Sequence, residues 1–300
     1  MPAEPSVVSP GSLQEAYALL AEGDGWQPIA GGTDLMVQIT GELIEPPERV
    51  LDLWRLDELR GIRLEGAELV LGALTTYTEI RRSLLVAEVL PALVDAAGTI
   101  GAAQIQNRGT LGGNIVNASP AGDTLPILLA TDARIVLGSA RGERAVAAAD
   151  FWTGYRQTAR TAEELVLRVR IPLPPGRQVR FRKVGTRRAQ AISKVVMALA
   201  WRSDGAVETS TETSVWRDVR LALGSVAERP IRVPRTEAVL QDAPATEATA
   251  DRAASTLADE IQPIDDVRST AEYRRTVAAR VLHRLLRDEG AGTADLSSAH

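Results

Sequence analysis

Two short segments carry residue types that can hold a charged ligand through the main chain: 30-AGGTDL-35 and 109-GTLGGNIVNASPAGD-123. Each sets a Gly-Gly pair beside a threonine, with Asp or Asn close behind. Gly31 and Gly32 are free to take positive φ and to let a ligand approach the backbone. Successive N–H groups in such a turn form an anion-binding concavity. The Thr33 hydroxyl adds a donor, and Ala30 keeps the site small. Thr110, Leu111, Gly112, Gly113 and Asn114 repeat this chemistry, and two such nests in one unit suit a pyrophosphate gripped from two sides. The plainer reading of either segment is a tight turn that needs glycine for geometry alone. Asp123 also has two readings. It is either the cap of an apolar helix at TLPILLA, or a carboxylate accepting from a ribose or ribityl hydroxyl. Ser119–Pro120 fits an N-cap followed by a first-turn proline, and Asn114 and Asn117 also fit as turn residues. Lys183 and Lys194 are among very few lysines in a chain whose basic residues are mostly arginine. Lys183 is either a solvated side chain or an ammonium set beside a phosphate. Arg187 and Arg188 read as surface charges or as a subunit contact.

The absences narrow the chemistry further. The chain has no Cys, which excludes a disulfide, a thiolate zinc site, a catalytic thiol and an iron–sulfur cluster within it. Its two His are His283 and the last residue, His300, so a His-based triad or metal site is not expected. Any redox centre must therefore be borrowed. Neither G-x-G-x-x-G after a strand nor G-x-x-x-x-G-K-[ST] occurs. A net charge of -5 argues against sequence-independent nucleic-acid binding. No apolar run is long enough to span a membrane, and the start, MPAEPSVVSPGS, is unlike a signal peptide. A cytoplasmic location is expected.

The elements that must position these residues follow from pattern. Residues 12–23 predict a helix in which Ser12 caps, Glu15 completes a capping box and Gly23 stops the run. WQPIAGG is a short strand entering the first Gly segment; RVLDL (49–53) and ELVLGALT (68–75) are strands. Short helices are expected across 76–97, a loop rich in Gly, Asn and Gln across 98–114, and an apolar helix at TLPILLATDA. Strands follow at ARIVLGS and ELVLRVRIPLPP. The Pro-Pro-Gly at 174–176 is the candidate boundary. Beyond it, VRFRKVG, KVVMALAWRSDG and VWRDVRLALGSV predict a sheet with one covered face. Two tail helices follow, the second with Tyr273, Val277, Val281 and Leu285 on one stripe. The class is α+β. The expected division is 1–175 (subdomains of about 1–55 and 56–175), 176–288, and a frayed tail over 289–300.

At this point the residues resemble a known family. PIAGGTDLMVQ, IGAAQIQNRGTLGGNIVNASPAGDTLPILLATDA, FWTGYRQTA, ELVLRVRIP, FRKVGTRRAQAISKV and DVRSTAEYRRTVAARVLHRLL occur in the order found in the FAD-binding medium subunit of molybdenum hydroxylases, the carbon monoxide dehydrogenase and xanthine dehydrogenase family. The resemblance covers nearly the whole chain. It implies a vanillyl-alcohol-oxidase-like (PCMH-type) FAD-binding domain of two α+β subdomains, followed by a small C-terminal sheet-and-helix domain. It also implies roles. Ile29, Ala30, Gly31, Gly32, Thr33, Asp34 and Leu35 wrap the pyrophosphate; Ile100 and Gly101 lie along the flavin; Thr110, Gly112, Gly113 and Asn114 hold the second side. Asp123 binds a cofactor hydroxyl, Val166 (or Leu165, one residue away) matches a family leucine, and Lys183 contacts the cofactor. Gln104, Gln106 and Asn107 either hydrogen-bond the flavin rim or are plain loop polarity. FAD is expected to be non-covalent. The molybdenum cofactor is expected on a large partner subunit and two [2Fe–2S] clusters on a small one, in a dimer of heterotrimers, with NAD or a quinone as acceptor. No acid–base residue is expected here, since the cofactor carries the chemistry. The alternative is a stand-alone flavin oxidoreductase using the same FAD domain.

Overall fold

Ser12 caps the first helix as its residue type predicts, its hydroxyl accepting from the Glu15 N–H at 3.2 Å. The expected return bond of a capping box is missing, because the Glu15 carboxylate takes the Gly11 N–H at 2.7 Å instead. The computed structural model describes residues 5–23, 25–187, 190–203 and 214–290. Arg188, His300 and most of the expected tail lie outside the described residues.

The chain begins β1 (Ser6–Val8), α1 (Leu13–Ala21), β2 (Gln27–Ile29), α2 (Leu35–Thr40) and β3 (Arg49–Asp52). The three strands form a parallel sheet in the order β1-β3-β2. Parallel neighbours need crossovers, which α1 and α2 supply. The first Gly segment is thereby placed at the C-terminal end of β2, where a crossover leaves an open crevice.

β4 (Ile62–Glu65) and β5 (Glu68–Gly72) lead into a run of short helices: α3 (Tyr77–Arg82), α4 (Leu84–Val89), α5 (Pro91–Thr99), α6 (Ala103–Arg108), α7 (Leu111–Asn117) and α8 (Leu125–Ala130). After them come β6 (Arg134–Ser139), β7 (Gly142–Ala147), α9 (Ala148–Phe151), the hairpin β8 (Trp152–Gly154) and β9 (Gln157–Thr158), and β10 (Leu165–Pro172). The antiparallel sheet β4-β5-β10-β6-β7 puts β10 at its centre, where Leu165, Val166, Leu167, Val169 and Ile171 are buried. The largely exposed β7 has no apolar alternation and was not expected.

The stretch 98–114, read from its composition as a loop, holds α6 and the start of α7. Local propensity is overridden by packing. Thr110 caps α7 through its hydroxyl on the Gly113 N–H, Leu111 and Ile115 are fully buried, and the Trp152 indole N–H donates to the Ile115 carbonyl at 3.1 Å. At Ser119–Pro120 no helix starts; the Ser119 hydroxyl accepts from the Ala121 N–H in a local turn.

The remainder is a four-stranded antiparallel sheet, β11 (Arg177–Val184), β12 (Val195–Ser203), β13 (Trp216–Gly224) and β14 (Ile231–Arg232), followed by α10 (Pro234–Leu240), α11 (Glu247–Glu260) and α12 (Ala271–Gly290). Both faces of this sheet are covered, not one. Small residues (Ala198, Ala200, Ala222) pack with Phe181 into the core that holds α5 and α8. Larger ones (Met197, Leu199, Trp201, Leu223) face α10, α11 and α12. A single core therefore runs across the Pro-Pro-Gly turn. On α12 the buried stripe is rotated by one residue from the expected one. Arg274, Ala278, Leu282 and Leu286 are buried while Tyr273 is exposed, because Arg274 is drawn inward to the Ser225 carbonyl and to Asp266. The helix continues to Gly290, and Glu289 pairs with Arg180 at 2.6 Å, so the expected frayed tail cannot start at 289. His283 meets Asp251 of α11 at 3.0 Å.

Candidate functional site

The two Gly segments come together on one cleft of about 520 Å³, a volume ordinary for a cofactor pocket (about 300–1,000 Å³). One wall is Ile29 to Leu35. Opposite stand Thr110, Gly112, Gly113 and Asn114, with Ile100 beyond them and Leu165 and Val166 of β10 along another side. Thirteen of the sixteen residues expected at the site line this cleft. Gly101, Asp123 and Lys183 do not.

The two segments are not equivalent. In the first, only Gly32 takes positive φ, at 74°. Among the described residues, nothing accepts from the N–H groups of Gly32, Thr33 and Asp34. They and the Thr33 hydroxyl are open to a ligand. Unpaired main-chain donors at a cleft wall are what an anion needs. In the second segment the N–H groups of residues 111–114 already have protein acceptors. Leu111 donates to the Thr75 carbonyl at 2.9 Å, Gly112 to the Ala73 carbonyl at 2.8 Å, Gly113 to the Thr110 hydroxyl at 3.0 Å, and Asn114 to the Thr110 carbonyl at 3.1 Å. The expectation of a second open nest is corrected: this segment is a capped helix start, and it offers the cleft the bare, exposed face of Gly113 and the Asn114 side chain. The Asn114 Oδ1 accepts from the Thr124 hydroxyl at 2.7 Å, so its other face is fixed.

Asp123 neither caps α8 nor borders the cleft. It is buried, and its carboxylate meets the Lys183 ammonium at 2.5 Å and the Ser193 and Thr99 hydroxyls. Lys183 also donates to the Thr99 carbonyl at 3.2 Å, and its side chain is only 7% exposed, so it is not a solvated surface group. Burial pushes the Asp123 carboxyl up, against the pull of the ammonium and the two hydroxyls. The pair pins residue 99, and with it Ile100 on the cleft wall, to β11. Gly101, at φ 54°, makes the next turn, where a Cβ would strike Ile105 at 2.6 Å. Gln106 is also structural. It accepts from Arg81 at 2.6 Å and donates to the Ile100 carbonyl at 3.0 Å. Asn107 accepts from Thr78 at 2.6 Å, and Gln104 is exposed. Lys194 lies over the Tyr273 ring, 4.9 Å from its centroid.

Sequence reasoning missed Arg156, Arg160, Glu164, Tyr77 and Gln38, all of which line the cleft. Arg160 donates to the carbonyls of Thr161 and Glu164. Glu164 is held at about 2 by a two-pronged bond from Arg144, assisted by the Thr161 N–H. These contacts fix the entry to β10. Tyr77 is fully packed, and burial keeps its phenol neutral.

Comparison with known proteins decides the family. The FAD binding domain in molybdopterin dehydrogenase matches residues 3–174, and the CO dehydrogenase flavoprotein C-terminal domain matches residues 180–288. The chain belongs to this family. It is 34% identical over 276 residues to the glyceraldehyde dehydrogenase medium chain of Sulfolobus acidocaldarius, covering 92% of this chain and 95% of that one. The nicotinate dehydrogenase FAD-subunit of Eubacterium barkeri is 32% identical over 286 residues, covering 93% and 94%. A structure of carbon monoxide dehydrogenase from Hydrogenophaga pseudoflava superimposes with a TM-score of 0.87 at 30% identity, over 95% of this chain and 96% of that one. The chain is thus an FAD-binding flavoprotein subunit of a molybdenum-hydroxylase-type oxidoreductase, and its fold is the α+β, PCMH-type arrangement. Among the described residues no helix is long and apolar enough to cross a membrane.

Proposed function

We propose that this chain is the electron-transfer subunit of a molybdenum hydroxylase, with electrons arriving from [2Fe–2S] clusters on a small partner subunit and leaving to NAD or another acceptor. The observation that carries the reading is the row of free N–H donors at Gly32, Thr33 and Asp34 facing Gly113 across one cleft. A diphosphate fits between a wall of donors and a wall with no side chain in the way. Ile29 to Leu35 then hold the phosphates. Ile100, Leu165 and Val166 present apolar surface to the ring system. Asp123 and Lys183, as a buried pair, position the Thr99–Ile100 segment rather than reaching the ligand across the cleft. FAD, when bound, supplies the exchange between one-electron and two-electron carriers. The chain has no Cys to hold a cluster of its own, and its relatives are named as medium chains or FAD-subunits, which supports clusters and a molybdenum cofactor on separate large and small partners. A dimer of such heterotrimers and a cytoplasmic location belong to the same proposal.

The test is co-expression with the cognate large and small subunits. Substrate should bleach the flavin absorbance of the complete complex and leave that of the isolated chain untouched. An isolated chain that turns over an organic substrate with its own bound FAD would establish the stand-alone oxidoreductase instead.

A further inference from the structure

Neither Gly segment carries a basic side chain. Arg108, between them in sequence, is stacked over the Trp54 ring at 3.7 Å and does not line the cleft. Among the described residues, four charged ones line it: Asp34, Arg156, Arg160 and Glu164. Arg160 is spent on two carbonyls and Glu164 is neutralised by Arg144, as described above. Arg156 differs from both. It sits in the two-residue turn between β8 and β9, its side chain 39% exposed. Its guanidinium Nη1 donates to the Asn117 Oδ1 at 2.5 Å and lies 3.9 Å from the Asp34 carboxylate. Asn117 ends the helix that begins with the second Gly pair, and Asp34 follows the first. Arg156 therefore reaches both walls of the cleft from a third element. Its φ is 53°, a conformation that costs a non-glycine residue about 1–2 kcal/mol. Such strain at a ligand cleft is a pointer to function.

We propose that Arg156 is a clasp for the phosphate-bearing half of the dinucleotide: it supplies a positive charge at the cleft mouth and discriminates a diphosphate ligand from the phosphate-free ring system. This rests on the FAD reading above. The guanidinium has donors left after its bond to Asn117, since Arg carries five N–H groups. It is held within reach of both walls, and its contact with Asp34 is long and exposed enough to yield to a phosphate oxygen. A charge-assisted bond of this kind adds to the main-chain donors, and it makes binding weaken with salt.

The experiment titrates the full-length apo-chain with FAD and, separately, with riboflavin, following flavin fluorescence at low and high ionic strength. Wild type, Arg156→Lys, Arg156→Gln and Arg156→Gly are compared. The glycine variant relieves the strained φ, so it keeps or gains thermal stability and isolates the loss of the guanidinium. Arg156→Gln and Arg156→Gly should weaken FAD binding by about 10- to 100-fold, with a smaller salt dependence, and leave riboflavin binding unchanged. Arg156→Lys should fall between. Equal FAD affinity in wild type and Arg156→Gly at both ionic strengths, or equal losses for FAD and riboflavin, overturns the clasp while leaving the FAD reading intact. A wild-type chain that takes up no FAD overturns both.

Discussion

The carbonyl oxygen of Arg108 lies where a side chain on residue 31 would begin: a Cβ built on Gly31 falls 1.7 Å from it. The first Gly segment is thus packed backbone against backbone on the approach to the second. Gly31 and Gly109, either side of this contact, both line the cleft. Gly31→Ala should separate them and cost more than about 4 kcal/mol, the range of severe overpacking. Gly32→Ala meets only side-chain carbons, Met36 at 3.3 Å and Ile29 at 3.4 Å, but keeps the unfavourable φ, so about 1–2 kcal/mol is expected. Urea unfolding of the two variants should rank them in that order.

Gly112 and Gly113 are adjacent and predict opposite phenotypes. A Cβ at Gly112 meets the Ala73 carbonyl and Cβ at 2.8 Å; one at Gly113 meets only the Thr110 hydroxyl, at 2.9 Å, on the cleft side. Gly112→Val should lower the melting temperature. Gly113→Val should melt close to wild type and yet purify with its visible flavin absorbance largely lost. A Gly113→Val protein with stoichiometric FAD would remove this wall from the binding site.

Asp123 and Lys183 form a buried pair, so each single removal leaves an uncompensated charge. Asp123→Leu or Lys183→Met should each cost about 3–5 kcal/mol, and the Asp123→Leu/Lys183→Met double variant clearly less than their sum. A double-mutant cycle by denaturant unfolding measures the coupling. Additive losses would mean that the two side chains act independently.

Glu164 gives the acid limb of stability. Its carboxyl, ordinarily near 4.5, is held at about 2 in the folded chain, first by Arg144. A depressed folded value means stabilisation that is complete above 4.5 and disappears as pH falls from there through about 2. The melting temperature of wild type should drop across that window, and Glu164→Gln should show a lower plateau with a shallower drop. Parallel curves for the two proteins would contradict the assignment.

Much of this was legible in the residues. β10 announces itself by its density of β-branched and apolar residues, α1 by its Ser12 cap, and AGGTDL by lying at the end of a strand. Thr110 was legible as a cleft-lining residue but not as the cap that makes α7 a helix, because two glycines and an asparagine argue locally for a loop. The outcome depends on Leu111, Ile115 and Trp152 packing together, which no window of sequence contains. Arg156 and Arg160 were invisible for a related reason. An arginine in a polar hairpin has no periodicity to mark it, and only the fold brings residues 34, 117 and 156 to one place. Lys183 was noticed for its rarity. Its partner came from sixty residues upstream, so the buried pair could not be read from either neighbourhood.

That distance matters during synthesis. Asp123 leaves the ribosome well before Lys183 and Ser193, and a carboxylate cannot be buried cheaply while its ammonium is still untranslated. The N-terminal stretch should therefore wait in a state where residues 99 and 100 are not yet pinned. The wall they form is completed only when β11 and the approach to β12 emerge. A nascent chain truncated near residue 175 should consequently be a poor receiver of its cofactor, and loading should be a late event in the life of the polypeptide.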